Sequence, residues 1–532
     1  MHPLLYEINT RCWLRELSAT RGAAVTLANV PGSEFDHWQR LGFTHIWLMG
    51  VWTTGPRSRE FSRHQPDVRR DAADLLPDWC DEDIAGSPYA IADYTVAPAL
   101  GGEKGLRSFR QKLSGRGLKL ILDFIPNHTG LDHPWLANSP ERFVPGGENA
   151  PGSFLQQTRA GPRWIAHGRD PYFPAWADTA QLDYRNPDTR AAMIAELKAV
   201  ATQCDGVRCD MAMLVLNDVI AKTWADAPMP DSLAAPRSSS SPREERVGRG
   251  PRRGEITQDM PPLLHPMGER EKSTASEFWT EAIASVKSVQ PDFLFLAEAY
   301  WDLEPRLQSL GFDYTYDKRL YDRLIERQAQ ETQRHLLDAP PDFVRRCAHF
   351  LENHDEPRIA SCLTFEEHRA AALLMLGLPG MRFLHDGQLT GAVRKLSVHL
   401  GRRPRTLPDP KIVGLYESLL TGLPSTAVGR GRAELIPPTA AWPDNPSAQN
   451  FVLVQWQATP PQFDLVAVNL APHRGQCCAR LTAEGLARHH WRLKDILGDE
   501  RHERAGLDLK QGGLYLDLPA HGAQLFHFRP TG

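Results

Sequence analysis

An arginine and an aspartate stand two residues apart at the end of a short apolar run, Asp205-Gly206-Val207-Arg208-Cys209-Asp210. Side chains two residues apart on a β-strand project from the same face, so Arg208 and Asp210 are expected to point the same way. The guanidinium charge should lower the pKa of the Asp210 carboxyl against the opposing effect of burial. A buried, ionised carboxylate is what a nucleophile requires. Taken alone, the pair also fits an ordinary structural ion pair.

Three further apolar runs end in polar side chains: residues 120–128, 293–298 and 350–355. Each run fits a buried strand whose polar group comes at its carboxyl end. A (β/α)8 barrel carries its catalytic residues at that end of its strands. The polar residues that these runs would deliver are Asp123, Asn127, His128, Glu298, Asn353, His354 and Asp355.

Two of these carboxyl groups suit the two roles of a glycosidase. A retaining glycosidase uses one ionised carboxylate as nucleophile and a second, protonated one as acid, about 5 Å apart. Asp210 has Arg208 beside it, whereas Glu298 follows an apolar run without an adjacent cation, which should raise its pKa. His128 and His354 each follow an asparagine and could grip sugar hydroxyls. A purely structural hydrogen bond is the alternative for each histidine.

The elements that would position these residues form a strand, loop and helix pattern over about the first 400 residues, as in a parallel sheet covered by helices. We predict a first strand over 6–13, a long loop over 51–83 and a strand at 44–50 between them. Further along the chain, strands six, seven and eight are predicted at 312–317, 348–352 and 380–386.

Four domain assignments follow from changes in periodicity. Residues 1–127 and 184–428 are predicted to form the barrel, domain A, and 128–183 a loop subdomain, domain B, after its third strand. Residues 227–268, rich in serine and arginine, fit a disordered surface insertion, with binding of an anionic partner as the alternative. Apolar residues alternate with period two beyond residue 429, which predicts a C-terminal antiparallel β-sandwich over 429–532.

Composition excludes several classes of partner. The chain has 532 residues, 41% of them hydrophobic, and a net charge of -4, so no strong field directs it to nucleic acid or to an anionic membrane. The sequence contains neither a run of about 18 apolar residues nor a basic leader followed by an apolar stretch. The eight cysteines are scattered without metal-ligand spacing. These features predict a cytoplasmic protein.

Four motifs occur in the order of the four conserved regions of the α-amylase family, glycoside hydrolase family 13: residues 123–128, residues 206–210, Glu298 and residues 353–355. Residues 181–183 resemble the fifth region of that family, which lies in its domain B. Tyr89 resembles the tyrosine that stacks on the sugar to be cleaved. The chain looks closer to less-characterised intracellular members than to typical α-amylases.

The resemblance implies a retaining double displacement on an α-glucosidic bond. Asp210 would be the nucleophile, Glu298 the general acid and then base, and Asp355 the transition-state stabiliser. Arg358 would either reach the pocket or form a surface ion pair. Among the remaining matches, Arg208 would orient Asp210. The sugar would be bound by Tyr89, His128 and His354. The site would be supported by Asp123, Asn127 and Asp183.

One departure from the family pattern bears on substrate and metal. Typical α-amylases follow the nucleophile with a Lys-His pair that serves the subsite beyond the cleaved bond and, through the histidine carbonyl, calcium. Met213 and Leu214 stand there instead, which fits either a less polar leaving group or plain packing. Asn127 alone remains of the recognisable calcium ligands. We therefore expect no required cofactor, with bound Ca²⁺ as the alternative.

Three functions compete. The first is a hydrolase acting on α-glucosidic bonds of maltodextrin-like oligosaccharides. The second is a transglycosylase of the same mechanism, forming trehalose or glucans, because water and a sugar hydroxyl compete for the same intermediate. The third, an inactive sugar-binding relative, fits less well, since all three carboxylates are present. The expected partner is an oligosaccharide or α-glucoside, and the sequence assigns no oligomeric state.

Overall fold

Eight parallel strands close into a barrel in the computed structural model, which describes residues 1–228 and 276–531. Each strand pairs with its neighbour along the chain and the last pairs with the first, which confirms the predicted (β/α)8 fold. Apart from residues 227 and 228, the predicted insertion at 227–268 lies outside the described residues. The strands are β1 (Leu4–Asn9), β2 (His45–Met49), β3 (Lys119–Phe124), β4 (Gly206–Cys209), β5 (Leu294–Ala297), β6 (Tyr314–Tyr316), β7 (Cys347–Phe350) and β8 (Met381–His385).

Alternation of side chains along each strand gives the barrel two cores. In β2, Trp47 and Met49 join the cluster that fills the barrel, whereas Ile46 and Leu48 join the cluster between strands and helices. Successive side chains point to opposite faces, and both faces of this sheet are covered, so most positions of the strands are apolar. The barrel interior is therefore packed, and a site can form only at its ends.

Several of the covering helices bury one apolar stripe. Gly102–Ser114 buries Leu106, Phe109 and Leu113, which stand three or four residues apart on one helical face. The other helices of the described barrel region are Thr10–Arg21, Gly32–Arg40, Pro56–His64, Pro66–Leu75, Trp135–Asn138, Pro187–Ala201, Asn217–Thr223, Phe278–Lys287, Glu304–Ser309, Lys318–Ile325, Ala329–Asp338, Pro341–Arg345, Ile359–Cys362, Phe365–Gly377 and Pro410–Gly422.

Two local predictions were wrong. The first strand ends at Asn9 rather than residue 13, because the Asn9 side chain accepts a hydrogen bond from the Cys12 amide and caps a helix. Residues 51–83 are not a long loop, since helices begin at Pro56 and Pro66. Proline suits the first turn of a helix. The first of these helices buries serines rather than an apolar stripe, which is why no helical period is visible.

Smaller β-structures complete the described chain, and in one of them Trp52–Thr54 pairs with Ile91–Val96. Between β3 and β4, His128–Gly130 pairs with Thr179–Gln181, and Ser153–Thr158 forms a hairpin with Gly161–Ala166. The C-terminal region forms a six-stranded and a three-stranded antiparallel sheet from nine strands. These strands are Arg432–Leu435, Pro438–Ala440, Phe451–Gln457, Phe463–Asn469, Gly475–Ala479, His490–Asp495, Arg501–Ala505, Leu514–Leu518 and Ala523–Pro530, with a helix at Gly506–Gly512. Over the described ranges, no helix has the length and apolar character that crossing a bilayer requires.

Candidate active site

A single guanidinium contacts both carboxylates at the carboxyl ends of β4 and β5. Arg208 is fully buried, and its Nη1 donates a hydrogen bond of 2.7 Å to Asp210 Oδ1. Its Nη2 lies 2.7 Å from Glu298 Oε2 in an ion pair that lacks hydrogen-bond alignment. The prediction that Glu298 has no adjacent cation was therefore wrong, because the cation comes from the neighbouring strand.

Burial dominates the protonation of both carboxyl groups. Burial raises the pKa of Asp210 and outweighs the opposing charge of Arg208, so the predicted lowering was wrong in direction. Burial likewise raises the pKa of Glu298 to about 7, with Arg208 opposing and the charge of Asp210 contributing. One guanidinium shared between two carboxylates does not fully compensate their loss of hydration.

Two donors fix the orientation of Glu298. The Met211 amide donates to Glu298 Oε2 at 2.7 Å, and the Tyr300 hydroxyl donates to Oε1 at 2.8 Å. Met211 has φ 42°, in the left-handed region that residues other than glycine seldom adopt. Strained backbone of this kind persists where the surrounding structure imposes it, often at functional sites. The turn after Asp210 thus aims an amide at the second carboxyl group.

Asp355 joins the cluster through His354. His354 Nε2 lies 3.0 Å from Asp355 Oδ2 and 2.7 Å from the Tyr89 hydroxyl, while its Nδ1 lies 2.5 Å from Glu7 Oε1. Burial would lower the pKa of His354, but the charges of Asp355 and Glu7 raise it well above its usual value. Partial burial would raise the pKa of Asp355, yet His354 lowers it overall. These two pKa shifts favour an imidazolium at His354 and a carboxylate at Asp355.

Aromatic rings and a buried aspartate surround Arg208. The guanidinium lies 5.2 Å from the ring centres of both Trp47 and Tyr89, and its Nε donates to the Tyr316 hydroxyl at 3.3 Å. Asp123 accepts hydrogen bonds from the Trp47 indole and the Gly50 amide. Burial raises the pKa of Asp123 to about 7. Both donors to the Asp123 carboxylate therefore lie in β2 or directly after it.

His128 lies beside this cluster, whereas Arg358 belongs to another one. Burial lowers the pKa of His128 to about 4, so it is neutral, and its ring lies beside the Tyr89 backbone and 5.2 Å from Trp176. Arg358 is buried and donates to Glu352 Oε1 at 2.6 Å and to the Asp386 carbonyl. The structure therefore does not bring Arg358 to the carboxylates, nor does it place it at the surface.

The residues at the expected calcium position do not suit that ion. The Asn127 side-chain oxygen accepts a hydrogen bond of 2.9 Å from the Gln181 amide. Both carboxylate oxygens of Asp183 accept hydrogen bonds from the Arg185 guanidinium. Calcium needs six to eight free oxygen ligands, and here a guanidinium already provides the positive charge. Within residues 1–228 and 276–531, no three His, Cys, Asp or Glu side chains converge as a metal site would require.

Several contacts of this site were not predicted. The predicted site residues also contact five groups that were not predicted: Glu7, Tyr300, Trp47, Tyr316 and the Met211 amide. One feature of the sequence indicates a role for Glu7: it is the only charged residue within the apolar strand β1. A buried charge in a barrel strand requires a partner, and for Glu7 that partner is His354. No sequence pattern indicates the role of the Met211 amide, because that role depends on a backbone angle.

Known proteins share both the sequence pattern and the fold. The model of the family described as "Alpha amylase, catalytic domain" matches residues 32–405. Maltase 1 of Drosophila virilis is 26% identical over 338 residues, covering 57% of this chain and 50% of the relative. Alpha-glucosidase of Candida albicans is 26% identical over 404 residues, covering 69% and 62%. The chain thus spans between half and two thirds of the length of these relatives.

A solved structure extends the likeness to the whole fold. The noncanonic maltogenic alpha-amylase AmyB from Thermotoga neapolitana superposes with a TM-score of 0.64 over 99% of each chain. At 17% identity, this likeness shows the fold alone. The family model, however, matches well over half of the sequence. The chain therefore belongs to the α-amylase family, glycoside hydrolase family 13.

Proposed function

We propose that this protein is a retaining α-glycoside hydrolase that cleaves α-glucosidic bonds in maltodextrin-like oligosaccharides. One observation carries the proposal: Asp210 and Glu298, from neighbouring strand ends, each lie 2.7 Å from a different nitrogen of the Arg208 guanidinium. Two carboxyl groups held beside each other by one guanidinium suit a double displacement. Asp355, linked through His354, supplies the third carboxylate.

In the first step, Asp210 attacks the anomeric carbon and the bond to the leaving oxygen breaks. Arg208 keeps Asp210 oriented and favours its ionised form. Glu298, with a pKa of about 7, carries the proton that the leaving oxygen takes up. The product of this step is a glycosyl ester on Asp210, and Glu298 is left as a carboxylate.

In the second step, Glu298 removes a proton from water, which attacks the anomeric carbon and releases Asp210. Positive charge develops on the sugar ring in both transition states. Asp355 and the Tyr89 hydroxyl, both in contact with His354, are placed to hold ring hydroxyls as that charge develops. Contacts that strengthen in the transition state lower the barrier of each step.

The substrate class rests on relatives and on packing. Relatives carry the names maltase and alpha-glucosidase, which supports a short α-glucoside rather than a long polymer. Met213 and Leu214 are buried in a short helical turn, so they fill the core and hold no sugar. A substrate panel tests the proposal, with products of maltose to maltohexaose separated by chromatography. We expect free glucose and shortened chains. Products longer than the substrate at high acceptor concentration would indicate a transglycosylase instead.

The pH profile should report Glu298 on its alkaline side. We expect kcat/KM to fall as pH rises through about 7, because Glu298 then loses the proton that it must donate. In Tyr300→Phe, the carboxylate loses a hydrogen-bond donor, so its pKa rises and the alkaline limb moves up by up to about one pH unit. Tyr314→Phe, outside the cluster, is the control. If the alkaline limb of the pH profile does not move in Tyr300→Phe, a group other than Glu298 sets that limb.

Glu7 should act by keeping His354 protonated. In Glu7→Gln, the pKa of His354 falls because one of its two neighbouring charges is removed. We expect kcat/KM to drop about tenfold relative to wild type. The drop should be larger at pH 8 than at pH 6, because His354 stays protonated at the lower pH despite its lowered pKa. Glu417→Gln, in an exposed pair with Arg40, is the control. A deficit independent of pH would reduce Glu7 to a packing role.

A further inference from the structure

A cavity of about 420 Å³ lies among the helices that follow β5 and β6. Its walls come from Glu304–Ser309, Lys318–Ile325 and Ala329–Asp338. None of Asp210, Glu298 and Asp355 lines it. Tyr316 lines the cavity while its hydroxyl accepts from Arg208, so the two sites are neighbours that share one residue. The volume suits a small ligand.

Most charged groups of this cavity already have partners. Arg334 pairs with Glu331 at 2.8 Å, and Arg319 pairs with Asp302. Asp317 lies 2.9 Å from His335 Nε2 and 3.0 Å from His349 Nδ1. In each of these pairs, opposite charges of the cavity walls compensate each other. Little net charge is therefore left to attract a strongly charged ligand.

Two groups that line the cavity form no ion pair within the described part of the chain, the buried Glu304 and the partly buried Arg323. Glu304 is 7% exposed and makes no ion pair. Burial raises its pKa to about 7, against a hydrogen bond from its own backbone amide. Arg323 has a buried Nη1 without a hydrogen-bond acceptor. The two residues come from different helices and do not pair with each other. A buried polar group without a partner is costly, and a ligand that supplies one gains that energy.

We propose that this cavity binds a neutral polyhydroxylated molecule, a short sugar, as a second site separate from the carboxylate cluster. The Glu304 carboxyl can accept a hydrogen bond from a hydroxyl, and Arg323 Nη1 can donate one to an oxygen. A sugar hydroxyl can take either part. Five carboxyl groups against three guanidinium groups disfavour an anion, and the arginines disfavour a metal ion. Pro305, Pro340 and Phe343 offer the apolar surface that sugar ring faces pack against. That the sugar is an α-glucan rests on the proposed function.

Hydrogen–deuterium exchange with maltotriose tests the site directly. The Asp210→Asn enzyme is used so that the sugar is not consumed. We expect maltotriose to protect peptides covering 304–325 and 329–338, separately from peptides at the carboxylate cluster. In Arg323→Met and in Glu304→Gln, the concentration that protects 304–325 should rise at least about tenfold. Arg323→Lys, which keeps the charge, should weaken protection less.

The controls separate this proposal from its rivals. Arg345→Met removes an arginine of an exposed ion pair outside the cavity and should leave protection unchanged. Inorganic phosphate is the charged probe, and protection of 304–325 by phosphate alone would overturn the proposal in favour of an anion site. Protection confined to the carboxylate cluster, or protection unchanged in folded Arg323→Met and Glu304→Gln, would also overturn it. If wild type cleaves no α-glucoside yet 304–325 is protected, the proposed function fails while this site stands.

Discussion

Asp210→Asn should lower kcat/KM on maltotriose by roughly a thousandfold or more while the protein stays folded. Asparagine can still accept a hydrogen bond from Arg208 Nη1, so the geometry of the pair is preserved. It cannot form the glycosyl ester on which the double displacement depends. The charge of Asp210 also contributes to the raised pKa of Glu298, so in the variant the pKa of Glu298 should fall.

A nearby aspartate supplies the matched control for this variant. Asp218 is exposed and pairs with Arg306 on the barrel surface. Asp218→Asn should retain activity within about twofold, since an exposed ion pair contributes little. Turnover in Asp210→Asn near that of Asp218→Asn would remove Asp210 from the nucleophile role.

Arg208→Met should be the most destabilising single change at the site. Removing one partner of a buried ion pair costs about 3–5 kcal/mol, because the remaining charge is left buried without compensation. Here two carboxylates lose their cation at once. Activity should also be lost, since nothing then orients Asp210. Urea unfolding monitored by fluorescence measures the first effect, and hydrolysis of maltotriose the second.

The pH dependence of that destabilisation follows from the raised pKa values. A carboxyl group whose pKa is higher in the folded state stabilises below its unfolded pKa, and this contribution is lost as pH rises through the folded pKa, about 7 for Glu298. Without Arg208 the folded pKa values rise further, so the variant should be less destabilised at pH 5 than at pH 8. Arg110→Met, which breaks a half-exposed pair with Asp205, should cost at most about 1 kcal/mol at either pH. Equal losses for Arg208→Met at both pH values would contradict this electrostatic account.

The barrel could be predicted because its strands are apolar on both faces and end in polar residues. β3, β4, β5 and β7 each stand out as short apolar runs for that reason. The helices at Pro56–His64 and Pro66–Leu75 could not be predicted in this way. They lie at the surface, and the first has no apolar stripe to reveal a helical period.

The candidate site was predictable as a set of residue types but not as a set of contacts. Spacing alone pairs Arg208 with Asp210, since both lie on one strand face. The ion pair between Arg208 and Glu298 connects two strands whose register the sequence does not specify. For the same reason, the partnership of Glu7 with His354, 347 residues apart, is visible only in the folded chain.

Covalent trapping tests the central claim, that Asp210 is the nucleophile of a retaining reaction with Glu298 beside it. The enzyme is incubated with a 5-fluoro glucosyl fluoride, whose ring fluorine slows release of the glycosyl ester, and its intact mass and peptides are measured. We predict a mass gain of one fluoroglucosyl unit on the peptide that contains Asp210. A label on Glu298 or Asp355, or no label while an active enzyme releases the inverted anomer as its first product, would contradict the account.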